Sequence, residues 1–318
     1  MSELSIEQKY KLNQFPDAWK PDRNHAKSFA AANPTPTFAA AAPLLMDQPY
    51  KEVFVPHFFI SACKEKYGED WRFEPQHQYD GTCVGQSHKM VCDIGMGVNR
   101  YLNGTEFPGR SCVASNYAGG RVDIANMPGS WQGSNGSWSA EFLTKFGIVL
   151  LEDIGLPHDS KRPDELMALK WTRSRSGVPS DVEQIARQKP FENSQLVLTV
   201  EEVDAALAQF QTVNICTSLI PTPRRNKSGV SGMSRQGGHS TLIVGTRKVG
   251  RTKVYAYLQS WGNWARGPYG WKDHDPDGHF ESSIVDITER DLREVLRSRD
   301  CYTFSGPQGL DHINEEYW

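Results

Sequence analysis

The stretch QYDGTCVGQSHKMVCDIGMGV, residues 78–98, opens as a turn and continues as a helix. Val84, Ser87, Val91, Ile94 and Val98 recur at spacings of three and four, the signature of one buried helical face. Asp80-Gly81-Thr82 supplies the turn, with Thr82 as the expected capping residue. Cys83 therefore stands at a helix start. There the helix dipole lowers a thiol's pKa, and a nearby imidazolium lowers it further. His88 cannot be that imidazole, because five residues along the helix it points away from Cys83. His239 can: it follows Gly237-Gly238, which permit close backbone approach, and it opens a β-branched stretch.

Working outward, helices are expected over 112–124, 138–146, 181–188 and 200–209, with Gly147 closing the second of these. Strands are expected over 212–219, 240–246 and 253–260. Helices first and an antiparallel sheet later make an α+β fold. Residues 1–50 differ in kind. They hold FAAANPTPTFAAAAPLL, whose Pro-Thr-Pro favours extended backbone, and they read as an N-terminal arm, extended or docking. The main domain then covers 51–310, and an acidic tail covers 311–318.

Composition narrows the function. The 318 residues carry 35 Lys and Arg against 38 Asp and Glu, a net charge of −3, which lacks the basic footprint of a nucleic-acid binder. No apolar run approaches the roughly 20 residues that span a bilayer, and no secretory signal is read at the N-terminus. An intracellular protein with reduced thiols is expected, its six cysteines unpaired. Asp273-His274-Asp275-Pro276-Asp277-Gly278 opens like a calcium loop, but Ile284 stands where the bidentate Glu belongs and Pro276 falls inside, so no metal site is assigned. No cofactor is expected.

Five segments in order resemble papain-like cysteine peptidases. They are residues 78–86, GSNGSWSAEFLTKFGI at 133–148, EEVDAALAQFQTVNICTSL at 201–219, GGHSTLIVG at 237–245, and LQSWGNW at 258–264 followed by GPYGW at 267–271. The resemblance implies a papain-like fold, with a helical half, an antiparallel sheet half and an active-site cleft between them. It implies Cys83 as nucleophile, His239 as its proton-transfer partner, and Gln78 with the Cys83 amide as oxyanion donors. Asn135, Gly136, Ser137 and Gly238 would line the substrate groove, and Trp261 would shield His239.

There are departures. Gln78 is one residue closer to Cys83 than the family's spacing, which leaves Gln76 as a second candidate. Both halves of the family's first disulfide are replaced, by the Asp80-Gly81 turn and by Ser134. Gln259 stands where the family has the Asn that orients the histidine. Members without disulfides and with an N-terminal arm resemble virion-associated proteins of tailed bacteriophages. That likeness implies a cysteine peptidase acting on polypeptides in the host cytoplasm or the virion. Residues 1–50 would dock to capsid or tail proteins, or the chain would be an assembly subunit or homo-oligomer. The alternatives are an inactive papain-fold structural protein of a virion and a cell-wall amidase or endopeptidase.

Overall fold

The computed structural model describes residues 18–32, 37–46 and 49–313. The arm's first seventeen residues, its Pro-Thr-Pro and the last five residues of the tail lie outside that set. In chain order the arm contributes α1 (Arg23–Ala32) and α2 (Phe38–Ala41). After β1 (Val53–Phe54) comes α3 (Pro56–Tyr67), and then the long α4 (Cys83–Leu102). Next are α5 (Val113–Ala118), which widens into a π-type turn over Gly119–Ile124, α6 (Gly136–Lys145), α7 (Arg162–Arg173) and α8 (Ser180–Ala186). The second half holds β2 (Phe191–Leu196), α9 (Val200–Ala208), β3 (Val213–Arg225), β4 (Ser231–Val249) and β5 (Thr252–Leu258). It ends with β6 (Ile284–Thr288), α10 (Glu289–Leu296) and β7 (Cys301–Pro307).

The strands form one antiparallel sheet in the order β2-β7-β3-β4-β5-β6, with β1 added to the far part of β4. Helices and antiparallel sheet make the α+β architecture read from the residues. β3 and β4 run longer than the expected strands because they continue past a register shift at residues 217–219 into a projecting ribbon. That ribbon carries Pro221, Pro223 and polar side chains, so hydrophobic alternation does not announce it. Helices α3 and α7 escape the periodicity for a related reason. Each begins on or beside a proline and mixes lysines into its faces.

α4 runs through the interior with fifteen of its residues buried, polar ones included. Asp93 is anchored there by Arg110 Nε at 2.7 Å and by the amide and hydroxyl of Ser111; burial would raise its carboxyl, but the charges of Lys89 and Arg110 and these bonds hold it below its ordinary range. One face of α4 meets the sheet, where His88 Nδ1 donates to Val84 O over 2.8 Å and the ring lies edge-on to Phe304. Burial pushes the His88 imidazole down to about 4. The sign follows: a base whose folded pKa is depressed adds nothing to unfolding above its unfolded pKa, and costs stability as pH falls from about 6.5 toward 4. At pH 5 that cost is about 2 kcal/mol. The variant His88→Leu should therefore lose about 2 kcal/mol less between pH 7.5 and pH 5 than the parent, read by urea unfolding at both pH values. Equal losses in the two proteins would show that His88 is not the titrating group.

The described part of the arm lies on the chain's own main domain. Phe38 is buried, and Ala39 N donates to Glu202 Oε1 at 3.0 Å. α1 has no buried residue and touches α6 through His25, whose two ring nitrogens sit 2.8 Å from Ser137 Oγ and 2.9 Å from Glu141 Oε2. What is buried ahead of it is Ala18 and Trp19. No helix of the described residues is long and apolar enough to cross a membrane.

Candidate active site

Cys83 is the first residue of α4, and its surroundings begin with an absent cap. The hydroxyl of Thr82, the expected N-cap, makes no bond to the helix amides. It donates instead to Glu165 Oε1 at 2.5 Å. The reason is a competing acceptor: Glu165, buried in α7, also takes the amides of Tyr79 and Asp80 at about 3 Å. One carboxylate thus ties down the whole turn ahead of the helix, and the first amides of α4 stay available to the sulfur. The backbone N–H groups of Ser240, Val84 and Cys83 itself act on the thiol. All three lower the thiol pKa, but complete burial outweighs them and pushes it up to about 12.

Removing Glu165 should loosen this turn. Glu165→Ala strands two half-buried amides and a buried hydroxyl, a loss of about 3 kcal/mol. Glu165→Gln, which keeps one acceptor oxygen, should fall in between. Denaturant unfolding of the three proteins checks the order, and a neutral Glu165→Ala would show that the turn is held by other contacts.

His239 sits on β4 next to Ser240, fully buried. Its Nε2 lies 2.6 Å from Gln259 Oε1, and its ring stacks on Trp261 with centroids 4.4 Å apart. Burial lowers the imidazole pKa to about 4, against the opposing pull of the Gln259 oxygen. Gln259 comes from the end of β5, where its amide is bonded to Ser283 O at 2.9 Å. The extra methylene, relative to Asn, is taken up within a 2.6 Å contact.

Gln78 is also buried. Its Nε2 donates to Asp80 O at 2.6 Å, and its Oε1 accepts from Ser260 Oγ at 2.9 Å. Its backbone is tied to the same residue, Gln78 N to Ser260 O at 2.9 Å. These bonds bring the turn ahead of Cys83 against the segment that carries Gln259 and Trp261. Gln76 goes elsewhere: it lines a separate cavity with Gln86, Lys89 and Arg110.

The cleft holds a piece of the chain itself. Residues 18–20 cross it in extended form, with Ser134 N donating to Ala18 O at 3.0 Å and Lys20 N to Ser134 O at 2.8 Å. On the opposite wall Trp19 N donates to Gly238 O at 3.2 Å. Gly238 has no substitute here, since a Cβ would lie 2.5 Å from Trp19 O. Asn135 adds its side-chain amide to Lys20 O at 2.7 Å. Of the expected groove residues, Asn135 and Gly238 touch the segment. The amides of Gly136 and Ser137 instead both turn to Asp300, each at 3.0 Å.

Ser134, Glu165, Asp300 and Trp19 were not singled out from the sequence. Ser134 was noted only as the replacement for a cysteine, and Asp300 lies 217 positions beyond Cys83 (300 − 83) with no motif around it. Trp19 had a signal: it is a lone tryptophan in the arm's polar opening stretch. The Asp273–Asp277 hairpin tip spends its carboxylates internally, Asp275 on the amides of His279 and Phe280 and on Tyr269 Oη, Asp277 on Lys64. Among the described residues no group of His, Cys, Asp and Glu is placed to hold a metal ion. The six cysteines are free thiols, all buried.

No family model and no curated protein matches the sequence. Solved structures do. Xylellain, a cysteine protease from Xylella fastidiosa, superposes with a TM-score of 0.53 at 11% identity, over 97% of this chain and 95% of that one. ProCathepsin B S9 from Trypanosoma congolense gives 0.53 at 11%, over 96% and 99%. Procathepsin L2 proteinase from the larval midgut of Tenebrio molitor gives 0.50 at 10%, over 96% and 81%. At these identities the likeness is one of fold, and the fold of this chain is that of papain-like cysteine proteases.

Proposed function

We propose that the protein is a cysteine peptidase held in a latent form by its own residues 18–20. The observation that carries the reading is the adjacency in β4 of Ser240, whose backbone N–H acts on the Cys83 thiol at the start of α4, and His239, whose ring nitrogen is bonded to the Gln259 side-chain oxygen. Polypeptide as the substrate class is supported by the segment in the cleft, which pairs with Ser134 and Gly238 through main-chain groups that any extended peptide offers. Two of the similar structures carry names of pro-enzymes, in keeping with a latent form.

In this reading the Cys83 sulfur attacks a peptide carbonyl carbon and forms a thioester, while His239 gives its proton to the departing amine. The Cys83 amide and the second N–H of Gln78 receive the developing oxyanion. Water then attacks the thioester, with His239 taking its proton, and frees the acid and the thiol. Gln259 holds the imidazole by its ring nitrogen, and Trp261 covers that contact. With Cys83 at about 12 and His239 at about 4, neither is charged in the closed cleft. The segment must leave before the pair ionises.

The test is hydrolysis of an unstructured protein followed by mass spectrometry, with Trp19→Ala used to open the cleft. New termini are expected with Trp19→Ala and none with Trp19→Ala/Cys83→Ala. Equal cleavage by the double variant would overturn the reading.

A further inference from the structure

The segment ahead of Gln78, α4 and the start of α7 line a cavity of about 110 Å³, where about 10–15 Å³ admits a single water. None of Cys83, His239, Gln78, Gln259 or Trp261 lines it. Lys89 of α4 and Gln76 both do, and they are only 4% and 6% exposed. Among the described residues nothing accepts a hydrogen bond from Lys89 Nζ or from Gln76 Nε2. Buried donors in that condition are rare, because they forfeit the bonds they made in water.

The cause is competition for the nearby carboxylates. Asp93 Oδ2 lies 3.9 Å from Lys89 Nζ, too far for a hydrogen bond, and the Asp93 oxygens are taken by Arg110 Nε and by Ser111. Asp164, also at the cavity, gives its two oxygens to the amides of Val113 and Ala114. A side-chain amide can turn either end to a ligand, but an ammonium offers donors only. Whatever fits must bring acceptors.

Charge narrows the class. Lys161 is paired with Glu74 at 2.6 Å and Arg110 with Asp93 at 2.7 Å. Lys89 then stands against Asp164, and exposed Arg72 against exposed Asp159. The two histidines of the lining, His77 and His158, stack on Tyr79 and Tyr67. A charged acceptor serves an ammonium better than a neutral one, yet with the lining in balance one negative charge suits it better than two. Burial draws the Lys89 ammonium below its ordinary range against the pull of Asp93, and an anion on Nζ would add to that pull. Trp71 and Val113 leave part of the wall apolar, which suits a short hydrocarbon tail.

We infer that this cavity binds a small monocarboxylate, its oxygens on Lys89 Nζ and Gln76 Nε2. The site is apart from the Cys83–His239 cleft and does not depend on the peptidase reading.

The experiment titrates the full chain with sodium acetate at pH 7.5 and constant ionic strength, read by calorimetry. One saturable site is expected, with sulfate and acetamide each at least tenfold weaker. Lys89→Met should weaken acetate at least tenfold and Gln76→Leu at least threefold, the usual difference between losing a charged and a neutral hydrogen-bond donor. The thermal midpoint of each unliganded variant shows whether it is folded, and either variant alone suffices. Absence of a saturable acetate site overturns the inference. So does sulfate or acetamide binding as tightly as acetate, or an acetate affinity unchanged in a folded Lys89→Met or Gln76→Leu.

Discussion

Trp19→Ala should raise the rate of Cys83 alkylation at pH 7 by at least a hundredfold. The argument runs through the thiolate. With the thiol at about 12, roughly one Cys83 in 100,000 is ionised at pH 7. An ordinary exposed thiol near 8.5 gives about 3%, over a thousand times more. The segment that enforces burial hangs on one side chain. α1 buries nothing, and Ala18 and Trp19 are the residues of 18–32 that are buried. Truncating a buried tryptophan costs about 3–5 kcal/mol, comparable to all that the four hydrogen bonds of residues 18–20 return at about 1 kcal/mol each. Timed iodoacetamide labelling with peptide mapping reads the rate at each cysteine. Cys92 and Cys301, which pack away from Trp19, should stay slow in both proteins. Uniform acceleration of all six would mean global loosening and would count against a latch.

Gln259 carries the second large effect. In Trp19→Ala, Gln259→Ala should lower kcat by roughly a hundredfold with little change in KM, since an unoriented imidazole affects the proton transfer and leaves peptide binding alone. Gln259→Asn should be intermediate. The backbone of residue 259 is fixed by Ser283 O, so removing one methylene draws the oxygen away from a contact now at 2.6 Å. Steady-state kinetics on one peptide decides the matter. An Asn variant faster than the parent would show that the Gln is a handicap and that the native pair is poorly aligned.

Much of this was legible in residues 78–98 and 237–264. The helix that starts at Cys83, the His239 strand and the change from helices to sheet follow from spacing and β-branching, because those segments bury a regular face. The three-stranded expectation fell short of the sheet where polar ribbons and a terminal strand, β7, interrupt the alternation. Thr82 illustrates a limit of local rules. As a threonine before a helix it reads as a cap, yet Glu165, 83 residues away, takes its hydroxyl and leaves the helix amides to Cys83. Asp300 and Ser134 show the same limit at the groove. Both act through distant backbone, Asp300 on the amides of α6 and Ser134 on the arm, and no short motif encodes such pairings. The arm's composition cannot fold alone, but it does not need to, since the cleft supplies its partners.

The pH profile of Cys83 alkylation in Trp19→Ala, with and without His239→Ala, tests the Cys83–His239 pair most directly. The account predicts a thiolate present well below pH 8.5 in Trp19→Ala, its ionisation returning to about 8.5 or above when His239 is replaced. A single ionisation near 8.5 that is the same in both proteins would contradict it.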